Sequence, residues 1–164
     1  MSGGFEVAVD DPTRADVRGL LSEHLADMFA TSPPESVHAL DAEALAVPSV
    51  TFYTAREGGV LLGCGALREL ATVGSAVRLG ELKSMRTTEA ARGRGVAAAL
   101  LARILADARS RGYASVSLET GIEDYFQAAR RLYARHGFVA CPPFADYTDD
   151  PNSCLLYTSD AADE

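Results

Sequence analysis

A chain of 164 residues has room for one domain with a sizeable core, and 48% hydrophobic with 23% charged residues marks a globular protein, not a disordered or fibrous one. Fifteen Lys and Arg against 23 Asp and Glu give a net charge of −8, which argues against a nucleic-acid partner and fits cationic ligands such as amines. No apolar run approaches the roughly 20 residues of a membrane span, Met1-Ser2-Gly3-Gly4 lacks the marks of a signal peptide, and Cys64, Cys141 and Cys154 show neither metal nor redox spacing, so a cytoplasmic, metal-free domain with reduced packing cysteines is expected.

Phe5 to Val9 alternates with period two and reads as a first strand. Asp11-Pro12-Thr13 opens a helix whose apolar face, Leu20, Leu21, His24, Leu25 and Met28, runs to about Phe29. Thr31-Ser32-Pro33-Pro34 breaks it, and a second short helix is expected near Glu35 to Leu45. Ser49 to Arg56 and Val60 to Glu69 form a hairpin about Glu57-Gly58-Gly59. The small residues Gly63, Cys64, Gly65 and Ala66 in its second strand predict a bulge or a close approach. Arg78 to Thr87 is the fourth strand. Val96, Leu100, Ile104 and Ala108 then recur at helical spacing, giving a helix from Ala97 to about Arg111 that Gly112 ends. Tyr113 to Thr120 alternates as a fifth strand. A helix from about Glu123 to His136 presents Phe126, Ala129, Leu132 and Tyr133 on one face, with Gly137 just past its end. Phe138 to Cys141 is a sixth strand.

Arg92-Gly93-Arg94-Gly95-Val96-Ala97 lies between the fourth strand and the long helix. Glycines let backbone come close to a ligand, and the first N–H groups of a helix point outward unpaired, so this turn suits a diphosphate. It lacks the Gly-Lys-Ser/Thr end of a Walker A loop, and Ala98 stands where a dinucleotide fingerprint needs its third glycine. It does match Arg-x-x-Gly-x-Ala, the acyl-CoA signature of the GNAT superfamily of N-acyltransferases. Leu132-Tyr133-Ala134-Arg135-His136-Gly137-Phe138 is similar to that family's second landmark, L-Y-x-x-x-G-F.

The resemblance covers roughly residues 5 to 153 and implies a single α/β (α+β) N-acetyltransferase domain. Its mixed, mostly antiparallel sheet has six or seven strands and about four helices, and it splays between strands four and five. The seventh strand starts near Asn152 and inserts between the fifth and sixth. The implied activity is acetyl-CoA-dependent transfer to a primary amine of a small molecule or protein, by direct attack in a ternary complex. The rival reading is a non-catalytic acyl-CoA-binding module on the same fold. A homodimer is left open, and neither nucleic acid nor membrane is expected as a partner. Cys154 to Glu164 resembles the translation of a transposon-end sequencing adapter, so residues 154–164 are read as a non-native tail.

Acyl transfer from a thioester to an amine needs the thioester held, its carbonyl polarised, the amine neutral and the leaving thiolate protonated. By the resemblance, freed backbone groups of Met85, Arg86 and Thr87 pair with the pantetheine, and the Met85 N–H faces the thioester oxygen. Arg92, Gly93, Arg94, Gly95, Val96 and Ala97 take the diphosphate. Tyr133 protonates the thiolate. Phe126 stands where many members carry a cofactor-binding asparagine, so that contact is either absent or supplied by another residue such as Gln127 or Arg131. A carboxylate among Leu79, Leu82 and Met85 is partly desolvated, as a general base requires, which makes Glu81 the first candidate and Glu119 the second. The competing role for either is an ion pair with Lys83, Arg78 or Arg68. Ser32, Glu35 and His38 belong to the segment that walls the acceptor pocket in this family.

Overall fold

In a computed structural model of the chain, residues 4–31, 41–70, 77–121, 126–140 and 153–158 are described. Their elements follow as β1 (Glu6–Val9), α1 (Ala15–Thr31), α2 (Ala42–Leu45), β2 (Val50–Glu57), β3 (Val60–Leu70), β4 (Arg78–Thr87), α3 (Val96–Ser110), β5 (Tyr113–Gly121), α4 (Gln127–Arg135), β6 (Val139–Ala140) and β7 (Ser153–Thr158). The strands make one seven-stranded sheet in the order β1-β2-β3-β4-β5-β7-β6. Neighbours are antiparallel except β4 and β5, which run parallel through the α3 crossover. The expected mixed sheet, its seventh strand between the fifth and sixth, and the four helices are all present. Among the described residues no helix is long and apolar enough to cross a membrane.

The strand boundaries follow the alternation. On β2, Tyr53 and Ala55 join the core beneath α3 and α4, while Phe52 joins the core beneath α1 and α2. On β3, Leu67 belongs to the first core, and Cys64 and Ala66 to the second. Period two thus sorts these residues between two layers, and Leu62 departs from it at the irregularity opposite Ala55 and Arg56. Leu100, Leu101 and Ile104 of α3 are 0% exposed, and truncating any one to Ala would cost about 2–5 kcal/mol. Asp41 caps α2 by accepting the Ala44 N–H at 2.9 Å. The remainder of the expected second helix, residues 35–40, lies outside the described residues.

Asp10 ties the start of α1 to the sheet. Its carboxylate accepts from Thr54 Oγ1 at 2.7 Å, Arg56 Nε at 3.0 Å and Arg14 Nη1 at 3.1 Å. Burial alone would raise its pKa, but these bonds and the Asp11 N–H outweigh burial and hold it well below the usual carboxylate range.

Candidate active site

The β4–β5 ladder is short. It runs Arg78↔Tyr113, Leu79↔Ser115, Gly80↔Val116 and Glu81↔Ser117, and beyond that β5 pairs only with β7. From Leu82 to Thr87, β4 keeps β3 on one side and has no strand on the other among the described residues. The two parallel strands therefore part, leaving a wedge lined by backbone groups of β4.

A bulge accompanies the parting. Cys64 pairs with Arg86 and Ala66 with Lys83, so Gly65 alone stands opposite both Ser84 and Met85. Ser84 takes φ 57°, a left-handed conformation that no other non-glycine residue adopts among the described residues; it costs a non-glycine residue roughly 1–2 kcal/mol. A Cβ on Gly65 would sit 2.5 Å from Met85 Sδ, so any larger residue here would displace the Met85 side chain. The buried Cys64 thiol donates to the Ser84 carbonyl at 3.3 Å. In a trans peptide the carbonyl and the following N–H point opposite ways. With the Ser84 carbonyl held toward the Cys64 thiol, the Met85 N–H points away from that thiol. Burial, only partly offset by Arg86, pushes the Cys64 thiol up to about 12, which makes it a clamp and not a nucleophile.

Past β4 the chain makes a 3-10 turn, Glu89–Ala91, and then Arg92-Gly93-Arg94-Gly95 before α3. Gly93 and Gly95 have φ of 81° and 82°, and an added Cβ at either meets no atom within 4 Å, so these glycines serve conformation and not packing. Gly95 is the N-cap of α3 and supplies no side-chain capping bond. The arginines differ in their commitments. Arg94 donates to Glu57 Oε1 at 3.0 Å across the β2–β3 hairpin and lies 6.0 Å from the Phe5 ring centroid, bracing the loop. Arg92 is exposed on the same turn.

The sheet face under α1 carries charge. Glu81, 1% exposed, has Oε1 3.2 Å from Arg68 Nη2 and Oε2 3.4 Å from Lys83 Nζ. The register explains this, since Glu81 pairs with Arg68 across β3–β4. The ion-pair role weighed against catalysis is therefore filled at Glu81. Burial pushes the Lys83 ammonium below its ordinary range, Glu81 and Glu119 oppose the shift, and Arg68 adds to it. Glu119 lies on the β5 face opposite Val116 and Leu118, which belong to the α3 core. Arg86 turns its side chain to α1, donating from Nη2 to Glu23 at 3.0 Å and Asp27 at 2.6 Å. Its expected contribution to the cofactor is thus left to its backbone. His24 sits beside this pair; burial first, then Arg86, with Asp27 opposing, lower its pKa to about 4, so the imidazole is neutral at pH 7.

Tyr133 is on the opposite side of the sheet, in the core cluster that Met85 packs against. Its ring lies 5.6 Å from that of Phe138, and burial raises the phenol above its ordinary range, keeping it protonated. Phe126 is buried at the N-cap of α4, while Gln127 and Arg131 are exposed. Ser32, Glu35 and His38 lie outside the described residues. Sequence reasoning missed Ser84, the Cys64 clamp and the Arg86–α1 pairing. The small residues Gly63, Cys64, Gly65 and Ala66 inside β3 signal the bulge or close approach.

The family model for the Acetyltransferase (GNAT) family matches residues 17–138. The uncharacterized N-acetyltransferase YsnE of Bacillus subtilis (strain 168) is 49% identical over 152 residues, 93% of this chain and 97% of that protein. The uncharacterized N-acetyltransferase YedL of Escherichia coli (strain K12) is 45% identical over 152 residues, 93% of this chain and 92% of that protein. A structure from Klebsiella pneumoniae, assigned to the acyl-CoA N-acyltransferases, superposes with a TM-score of 0.75 at 28% identity, over 96% of this chain and 98% of that one. A GNAT family acetyltransferase from Elizabethkingia anophelis, solved with acetyl-CoA bound, shares the fold at a TM-score of 0.64 and 16% identity, over 95% of this chain and 98% of that one.

Proposed function

Since the chain belongs to the Acetyltransferase (GNAT) family and is an N-acetyltransferase, we propose that it transfers the acetyl group of acetyl-CoA to a primary amine of a small molecule or protein, by direct attack in a ternary complex. The observation that carries this reading is one juxtaposition. The free edge of β4, Leu82 to Thr87, leads through a single 3-10 turn into the uncapped, glycine-fronted N-terminus of α3. An extended amide-bearing arm fits a free strand edge, and a diphosphate fits a helix N-terminus. Coenzyme A has both, in that order. The acetyl-CoA held by the Elizabethkingia fold neighbour supports the same co-substrate.

In this reading Met85, Arg86 and Thr87 offer main-chain groups to the pantetheine. Gly93, Arg94, Gly95, Val96 and Ala97 offer N–H groups to the diphosphate, with Arg92 adding charge. The Met85 N–H donates to the thioester oxygen, where negative charge grows as the amine attacks. The new C–N bond forms as the C–S bond breaks, and the Tyr133 hydroxyl gives its proton to the departing sulfur. The amine proton goes to a carboxylate on the α1 face. Glu81 is the first candidate and Glu119 the second, and the ion pairs of Glu81 with Arg68 and Lys83 are the role that competes with catalysis there. With the Cys64 thiol buried and pushed up to about 12, an acyl-cysteine intermediate has little support at this position. The decisive experiment is thiol release from acetyl-CoA against a panel of amines. Amine-dependent release supports the transferase; CoA binding with no release from any amine supports the non-catalytic module.

A further inference from the structure

Ser84 holds two unfavourable features at once. Among the described residues it is the only non-glycine residue with positive φ, at 57°. Its hydroxyl oxygen is also buried, with the residue 9% exposed, and has no hydrogen-bond partner. A glycine would remove both costs, and asparagine or aspartate would lessen the first. Buried hydroxyls in native proteins are nearly always bonded, and strained backbone persists where it serves a site. The location is specific: Ser84 lies three residues beyond Glu81, the last β4 residue paired with β5, where the wedge opens.

We propose that the Ser84 hydroxyl is a second donor to the thioester carbonyl oxygen of the acetyl donor, acting beside the Met85 N–H. This rests on the acetyltransferase reading above. Covalent geometry favours it, because the Oγ of one residue lies close to the N–H of the next, and a single oxygen with two lone pairs accepts from both. The Cys64 thiol, at 3.3 Å from the Ser84 carbonyl, fixes the peptide that joins the two donors. Ser84 thereby becomes a catalytic residue, and Cys64 a positioning residue.

The test uses Ser84→Ala, which keeps the Cβ and loses the hydroxyl, and Ser84→Gly, which also relieves the backbone. Both are compared with wild type in kcat, in KM for amine and in calorimetric binding of CoA and acetyl-CoA. The proposal expects both variants to lose about ten-fold or more in kcat with CoA affinity unchanged. It also expects Ser84→Gly to melt at or above the wild-type temperature, so that stability and activity move apart. Wild-type kcat in folded Ser84→Gly overturns the proposal and leaves the acetyltransferase reading standing. A wild-type protein that binds no CoA and acetylates no amine overturns both.

Discussion

Replacing Gly95 separates what the turn before α3 does for the fold from what it does for a ligand. Gly95 sits at φ 82° with no atom within 4 Å of an added Cβ, so Gly95→Ala meets only the left-handed backbone penalty. That penalty is roughly 1–2 kcal/mol, and at about 2–4 °C per kcal/mol for a domain of this size the melting temperature falls by roughly 2–8 °C. Gly95→Glu pays the same penalty, but its carboxylate lies at an uncapped helix N-terminus, where negative charge returns about 0.3–1 kcal/mol. The unliganded Glu variant should therefore melt at or slightly above the Ala variant. Ligand reverses the order. CoA at 100 times its Kd adds about 2.7 kcal/mol to the wild type, a rise of roughly 5–10 °C. In Gly95→Glu the carboxylate occupies the diphosphate's place and repels it, and the rise should vanish. Melts with and without CoA, followed by circular dichroism, read all of these quantities. A full CoA shift retained in folded Gly95→Glu would remove the diphosphate from this turn.

Tyr133→Phe deletes one hydroxyl from a buried ring and should keep fold and CoA affinity while kcat falls by roughly 10²-fold; unchanged turnover returns Tyr133 to packing alone. Glu81→Gln leaves Arg68 and Lys83 beside a neutral amide, so it should lower the melting temperature, and if Glu81 is the base it also abolishes the acid limb of the kcat/KM profile. Glu119→Gln should leave that limb in place; the opposite pattern moves the base to Glu119. His24 has a folded pKa of about 4 against an unfolded value of 6.5, so between those pH values the unfolded chain binds a proton that the folded one does not. Stability at this site is complete above pH 6.5 and is lost as pH falls toward 4, by up to roughly 3 kcal/mol. Urea melts across that range should show the slope in wild type and a flatter one in His24→Gln, while carboxylates held low, such as Asp10, give their losses only below the unfolded value near 3.9.

What the sequence revealed was mostly periodicity. β4 begins and ends at the expected Arg78 and Thr87, and α3 starts within one residue of Ala97, because alternation and helical repeat are properties of the residues themselves. The glycine turn was legible for the same reason: Gly93 and Gly95 announce positive φ locally. Features that depend on register were not legible. An ion pair of Glu81 with Arg68 is among the expected alternatives, but that Arg68 and Lys83 both take it, and that Arg86 reaches Glu23 and Asp27, follows from which strand and helix lie alongside. The glycines of β3 signal a bulge or close approach, but serine gives no signal for a left-handed backbone, so the pairing of Cys64 with Arg86 and Ala66 with Lys83 places the extra residue on β4 only once the two strands are aligned.

The order of the sheet also sets an order of assembly during synthesis. Among the described strands β7 comes last in the chain, yet it stands between β5 and β6. Until Ser153–Thr158 has emerged, Val116 to Gly121 of β5 offer an open edge, and Val139 and Ala140 have no strand to join. Strands β2, β3 and β4 can pair early with near neighbours in sequence, while β5–β7, like β1–β2, waits for a pairing distant in sequence. A nascent chain stalled in that interval would present a strand edge that invites pairing with another chain, so the arm completed last is also the one where cellular quality control has most to guard.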